Sequence, residues 1–249
     1  MPSIEALLHR RTDLSAFVVH FTRTTARATA SENLKAMLDD RVIEARSVFG
    51  MAARLAEKYE VIADTQRTVC FTETPLEHAW MMCEKIPNRT MSFSGYGLAF
   101  TRTFARRRGA NPVWYLDITT GHDWLTRPIN NMVSDVEKVA GDPFKGGKDA
   151  AVDADILRLT PFIEQMGAPA GRRKEFWWER EWRHVGDFHF RFGNLVVVFA
   201  PEEEHDEFEE HMRAIKTRGR LPSLVDASWG LERMIAALAQ VSEPGPFPE

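Results

Sequence analysis

The apolar positions of this chain fall in short runs whose period switches between two and 3.6, which predicts strands and helices in alternation. "SAFVVHFT" (residues 15–22) reads as a strand and "SENLKAMLDD" as a helix, with Ser31 as its cap and Leu34, Met37 and Leu38 turned inward. "RVIEARSVFG" reads as a short extended piece and "MAARLAEKY" as a short helix. "TVCFTETP" is a further strand, after which Pro75 suits the first turn of the helix "PLEHAWMMCEKI". "GYGLAFTRTFARRRG" predicts a strand entering a basic helix that Gly109 ends, and "NPVWYLDIT" another strand. Residues 121–174 read as helix broken by loop chemistry at 141–150 and 167–174, the two candidate flexible segments. "EFWWEREWRHVGDF" (residues 175–188) and "NLVVVFA" read as strands, and "PEEEHDEFEEHMRAIKTRG" and "SWGLERMIAALAQV" as closing helices. Strands of unequal spacing predict an α+β fold, taken as a single domain over 1–249 with its core at about 15–240.

Length and composition narrow the class. The chain has 249 residues, 44% of them hydrophobic, enough for a substantial core. Its 36 acidic and 32 basic residues leave a net charge of -4, so no global basic field points to nucleic acid. With two cysteines, Cys70 and Cys83, a chain of this size needs no disulfide framework to fold, which fits a reducing cytoplasmic location. Glu5, Arg10, Arg11 and Asp13 interrupt any apolar leader at the N-terminus, and no run reaches membrane-spanning length. Neither GxGxxG after a strand nor GxxxxGK[ST] occurs, and there is no GxSxG.

Candidate chemistry concentrates at strand ends. Strand alternation puts Trp177, Glu179, Glu181 and Arg183 on one face of residues 175–188, and Trp178, Arg180, Trp182 and His184 on the other. Two like charges on one face call for a neighbouring cation or a polar ligand. That leaves two readings, a salt-bridged edge strand or an active-site strand. His20 and Thr22 share a face at the end of the first strand, opposite Arg23 and Phe21, while Thr72 and Thr74 share a face opposite Glu73. His205 and His211 stand six apart, outside the three- or four-residue spacing of a helical metal pair, so no metal site is expected. Cys70 reads as a small core residue, and Arg102, Arg106, Arg107 and Arg108 as a solvated helix end that could also hold phosphates.

Together "HFTR…NLKAMLDDRVIEA", "VCFTETP", "SGYGLAFTRTFARRRGANPVWYLD" and "EREWRHVGDFHF" resemble the AbiGi family of abortive phage resistance proteins over roughly His20 to Phe190. This resemblance implies an antitoxin role in phage defence. The order of His-x-Thr, "NLKAML", "CFTET" and a late Glu-x-Glu is also similar to ADP-ribosyltransferases of the DarT type, which implies mixed and antiparallel sheets with flanking helices. On that second resemblance His20 and Thr22, or Arg23, would hold NAD as substrate, with Thr72 and Thr74 as a second wall. Glu181 would be the catalytic glutamate, Glu179 the preceding acid, and Tyr96 or Phe71 the ring stacked on nicotinamide. A fixed carboxylate at Glu181 would stabilise the oxocarbenium character of a breaking N-glycosidic bond. The expected function is thus transfer of ADP-ribose from NAD to a nucleic acid or protein. The alternative is a non-catalytic antitoxin that binds a partner protein. A metal-dependent nuclease is a third reading, without ligand spacing to support it.

Overall fold

The computed structural model describes residues 11–86, 89, 92–169, 174–215 and 219–241. In chain order the first elements are β1 (Phe17–Phe21), α1 (Ala30–Asp40), β2 (Val42–Ile43), β3 (Ser47–Val48), α2 (Ala53–Lys58), α3 (Glu60–Gln66) and β4 (Arg67–Thr72). Next come α4 (Trp80–Cys83), β5 (Gly97–Thr101), α5 (Arg102–Arg107), β6 (Asn111–Pro112), β7 (Trp114–Asp117), α6 (Thr126–Ala140), α7 (Gly147–Val152), α8 (Asp155–Leu159) and β8 (Ile163–Met166). The last are β9 (Glu181–Val185), β10 (Phe188–His189), β11 (Leu195–Phe199), α9 (His205–Ile215), β12 (Ser223–Val225) and α10 (Leu231–Ala239). The fold is α+β, and its main sheet is a mixed one of eight strands.

Two compact units divide the chain: Met1–Val42, Phe71–Ala105 and His189–Glu249 form the first, Ile43–Cys70 and Arg106–Phe188 the second. In the first, the strand order is β12-β11-β5-β1-β4. β5 runs antiparallel to both β1 and β11, with Val19 opposite Ala99 and Val198 opposite Leu98. β12 runs parallel to β11, and α9 supplies the crossover that a parallel pair requires. Leu98, Ala99, Phe100, Val197, Val198 and Phe199 are all fully buried in consecutive runs, so these strands are covered on both faces. α1 contributes Leu34 and Leu38 to the core and α9 contributes Phe208 and Met212. Burying each such side chain stabilises the unit by roughly 1.5–3 kcal/mol.

Helix α1 starts where a Thr-x-x-Glu pattern sets it. The Thr29 hydroxyl accepts from the Glu32 N–H at 3.2 Å and the Glu32 carboxylate accepts from the Thr29 N–H at 2.7 Å. Thr29, not Ser31, is therefore the cap, and Ser31 instead donates to Glu204 at 3.0 Å.

The second unit carries β3, the first four residues of β4, β9 and β6, in the order β4-β9-β6 with β3 also on β4. Helices α2, α3, α6, α7 and α8 enclose a small-residue core of Ala52, Leu55, Ala56, Ile62, Ala63, Val136, Ala140, Ala151 and Leu157. Gln66 is fully buried there and satisfied: it donates to the Leu157 carbonyl at 2.8 Å and accepts from Thr160 at 2.8 Å. β7 and β8 form a separate parallel pair, Trp114 opposite Ile163.

Two expectations of local structure change. The stretch 175–188 is not one strand: Trp177–Glu179 is a 3-10 turn, Arg180 closes it in the left-handed region at φ 49, and the strand begins at Glu181. Residues 141–150 hold a 3-10 turn at Pro143–Lys145, capped by Asp142, and the start of α7. Of the segment 167–174, residues 170–173 lie outside the described residues, and Gly167 and Lys174 bridge each other.

Candidate functional site

Within the second unit the candidate strand centres on Arg183, whose side chain is 2% exposed. Residues two apart on β9 share a face, so Glu181 meets Arg183 in a two-pronged pair. Arg183 Nε donates to Glu181 Oε1 and Nη2 to Glu181 Oε2, both at 2.9 Å. Nη2 also donates to Glu164 Oε2 at 2.8 Å and Nη1 to the Pro161 carbonyl at 2.8 Å, while the guanidinium lies over the Phe49 ring at 5.2 Å. Glu164, on β8, takes Lys174 on its other oxygen at 2.7 Å. The Tyr115 hydroxyl approaches Glu181 Oε2 at 3.4 Å. Glu164 was not singled out by sequence; its position on a short strand, polar between Ile163 and Met166, is the one signal that could have found it.

The electrostatics are those of a filled ion cluster. Burial alone would raise the Glu164 carboxyl, but Arg183 and Lys174 outweigh it and hold the group below the usual glutamate value. Burial opposes the charge on Arg183, yet the Glu181 carboxylate keeps its pKa above the ordinary arginine value. Tyr115 is pushed up by burial and by Glu181. The Cys70 thiol is pushed well up by burial, with Glu181 adding to it, so no thiolate nucleophile stands here. Both Glu181 oxygens are thereby engaged by one buried cation. Such a cluster ties β9 to β8 and to the Pro161 turn, and it orients its carboxylates rigidly.

Glu179 belongs to the turn before β9, so the period-two argument that paired it with Glu181 does not apply to it. The residues expected to hold NAD lie in the first unit. His20 is half-buried, edge-on to the Phe71 ring at 6.0 Å. Thr22 is buried and its N–H donates to the Tyr96 carbonyl at 2.8 Å. The Arg23 carbonyl accepts from Asn33 Nδ2 at 2.9 Å. Thr72 and Thr74, both buried, join through their hydroxyls at 2.8 Å, and the Thr74 N–H donates to Thr72 at 3.1 Å. The Tyr96 hydroxyl donates to Glu204 at 2.6 Å, and burial together with that carboxylate raises its pKa. Thus Thr72 meets Thr74 two residues on, and Thr22 meets the segment that leads into β5. Glu73, buried, pairs with Arg102 at 2.7 Å, a contact that strand alternation did not suggest. Arg106, Arg107 and Arg108 are exposed.

His205 Nε2 lies 3.0 Å from the Ala200 carbonyl and His211 Nε2 2.9 Å from Asp39 Oδ1. Among the described residues no group of three or more His, Cys, Asp or Glu could hold a metal ion. No helix among them is long and apolar enough to cross a membrane.

The sequence model of a family described as "Putative abortive phage resistance protein AbiGi, antitoxin" matches residues 35–216. No curated protein and no solved structure matches the chain.

Proposed function

The chain belongs to the AbiGi family of abortive phage resistance proteins, and from that premise we propose that it is the antitoxin of a toxin–antitoxin defence pair, acting on a toxin protein by binding it rather than by chemistry of its own. One observation carries this preference over catalysis. The carboxylate of Glu181 is gripped by a guanidinium that is itself 2% exposed and that also donates to Glu164 and the Pro161 carbonyl. A carboxylate held this way leaves a buried cation unpaired if it moves away, and it has two fewer lone pairs to offer a substrate. Exposed tryptophans in the same unit, Trp114, Trp124 and Trp177 at 53%, 72% and 58%, supply side chains of the kind that anchor protein interfaces. The test is co-expression with the toxin of its own system. Growth should be restored, the two proteins should co-purify, and Trp124→Ala should weaken both effects; rescue without any complex would refute restraint by binding.

A second reading keeps the ADP-ribosyltransferase-like fold, with NAD as substrate and Glu181 as its catalytic glutamate. It is supported by the order of His20, Thr22, Thr72, Thr74 and Glu181 along the chain, and by the 16% exposure that the Glu181 side chain retains. Nicotinamide release from NAD by purified protein, alone and with phage-infected extract, separates the two. Release that disappears in Glu181→Gln and Glu179→Gln variants of unchanged melting behaviour would establish the transferase; no release under any condition removes it.

A further inference from the structure

Many arginines of this chain face a carboxylate, as Arg67, Arg102, Arg183 and Arg233 do. In the first unit three arginines depart from this pattern at one place. Arg41, Arg191 and Arg220 line a cavity of about 830 Å³, and among the described residues none of the three faces a carboxylate. Three separate segments hold them there. Arg41 follows α1 in the left-handed region at φ 57, with its carbonyl accepting from the Phe190 N–H at 3.0 Å. The Arg191 N–H donates to Asn194 Oδ1 at 2.9 Å at the start of a 3-10 turn. Arg220 Nη2 donates to the Leu238 carbonyl at 3.1 Å. Val196, Ile215 and Leu238 give the same cavity an apolar wall, and the Arg41 guanidinium lies 5.9 Å from the Phe192 ring centre.

Like charges that converge on one opening repel, and the repulsion is relieved when a ligand brings negative charge. Guanidinium groups offer paired N–H donors that match phosphate oxygens, and an apolar wall suits the planar body of a base. A volume of this size is within the range of small-ligand pockets. We propose that this cavity binds a nucleoside di- or triphosphate, its phosphates against Arg41, Arg191 and Arg220 and its base against Val196, Ile215 and Leu238. The site is independent of the toxin-binding role, and it is built from residues other than those the transferase reading assigns to NAD.

Calorimetric titration of the full chain with ATP, GTP, AMP and inorganic triphosphate at low salt tests this, using wild type, Arg191→Gln, Arg220→Gln and Val196→Trp. Affinity should rise with the number of phosphates and fall as salt is added. Each arginine variant should bind at least about tenfold more weakly, while Val196→Trp should exclude nucleotides more than triphosphate. Both arginines are exposed, so the variants should melt as wild type does. No nucleotide binding tighter than about 1 mM by folded wild type would overturn the proposal. So would undiminished binding by the variants, and triphosphate binding as tightly as ATP would overturn the assignment to a nucleotide.

Discussion

Replacing Arg183 with methionine is the sharpest test of what holds the second unit together. The substitution keeps a side chain of similar length but deletes the cation from which Glu181 accepts two hydrogen bonds at 2.9 Å and Glu164 one at 2.8 Å, and it orphans the Pro161 carbonyl. Breaking a buried ion pair by removing one partner costs about 3–5 kcal/mol, because the charge left behind is poorly solvated. Two features bound the effect from above. The Glu181 and Glu164 side chains keep 16% and 17% exposure, and Lys174 still neutralises Glu164. Loss of the contact with Phe49 adds roughly 0.5–2 kcal/mol in the other direction. The net expectation stays at about 3–5 kcal/mol, a fall in Tm of about 6–20 °C for a chain of this size. Thermal melting followed by tryptophan fluorescence reads it, since the buried Trp182 adjoins Arg183. The double variant Arg183→Met, Glu181→Leu should recover more than half of the loss, because no charge in the pair is then left buried alone. A single variant within about 1 kcal/mol of wild type, or a double variant no better than the single, would refute the reasoning.

Two further outcomes follow from the same structure. The Glu164 carboxyl is held below the ordinary value of 4.5, so its stabilising contribution is complete above that pH and is lost as pH falls through the lowered folded value. Acid melts of wild type should therefore steepen below pH 4.5, and Arg183→Met should flatten that part of the curve; identical slopes would remove Glu164 as the cause. At Gly50, φ is +89 and an added Cβ would lie 2.2 Å from the Thr160 carbonyl oxygen, whereas Gly121 has φ +90 with nothing within 4 Å. Gly50→Ala should cost more than about 2 kcal/mol and Gly121→Ala only about 1 kcal/mol, read as their difference in Tm. Equal losses would show that strain alone, and not the contact with Thr160, decides the effect.

Much of this protein was legible in the order of its residues. Local period and end signals sufficed for β1, β4, β5 and β11, for α9 and α10, and for the basic helix that ends before Gly109 at φ +97. These depend on contacts within a few residues, where side-chain direction and backbone preference act directly. The same reasoning placed Glu181 and Arg183 on one face, as the two-pronged pair requires. It failed at Glu179 because a left-handed Arg180 broke the alternation, and such a backbone state has no reliable signal outside glycine and asparagine. It misplaced the cap of α1 by two residues because Ser31 is a good cap in isolation, whereas Thr29 has Glu32 to complete the box. Only tertiary structure brought Glu164, Lys174 and the Pro161 carbonyl around Arg183, and Arg41, Arg191 and Arg220 around one cavity. Those partners lie from nine to about 180 residues apart in sequence. No periodicity spans such distances, so their meeting is fixed by sheet register and helix packing rather than by local pattern.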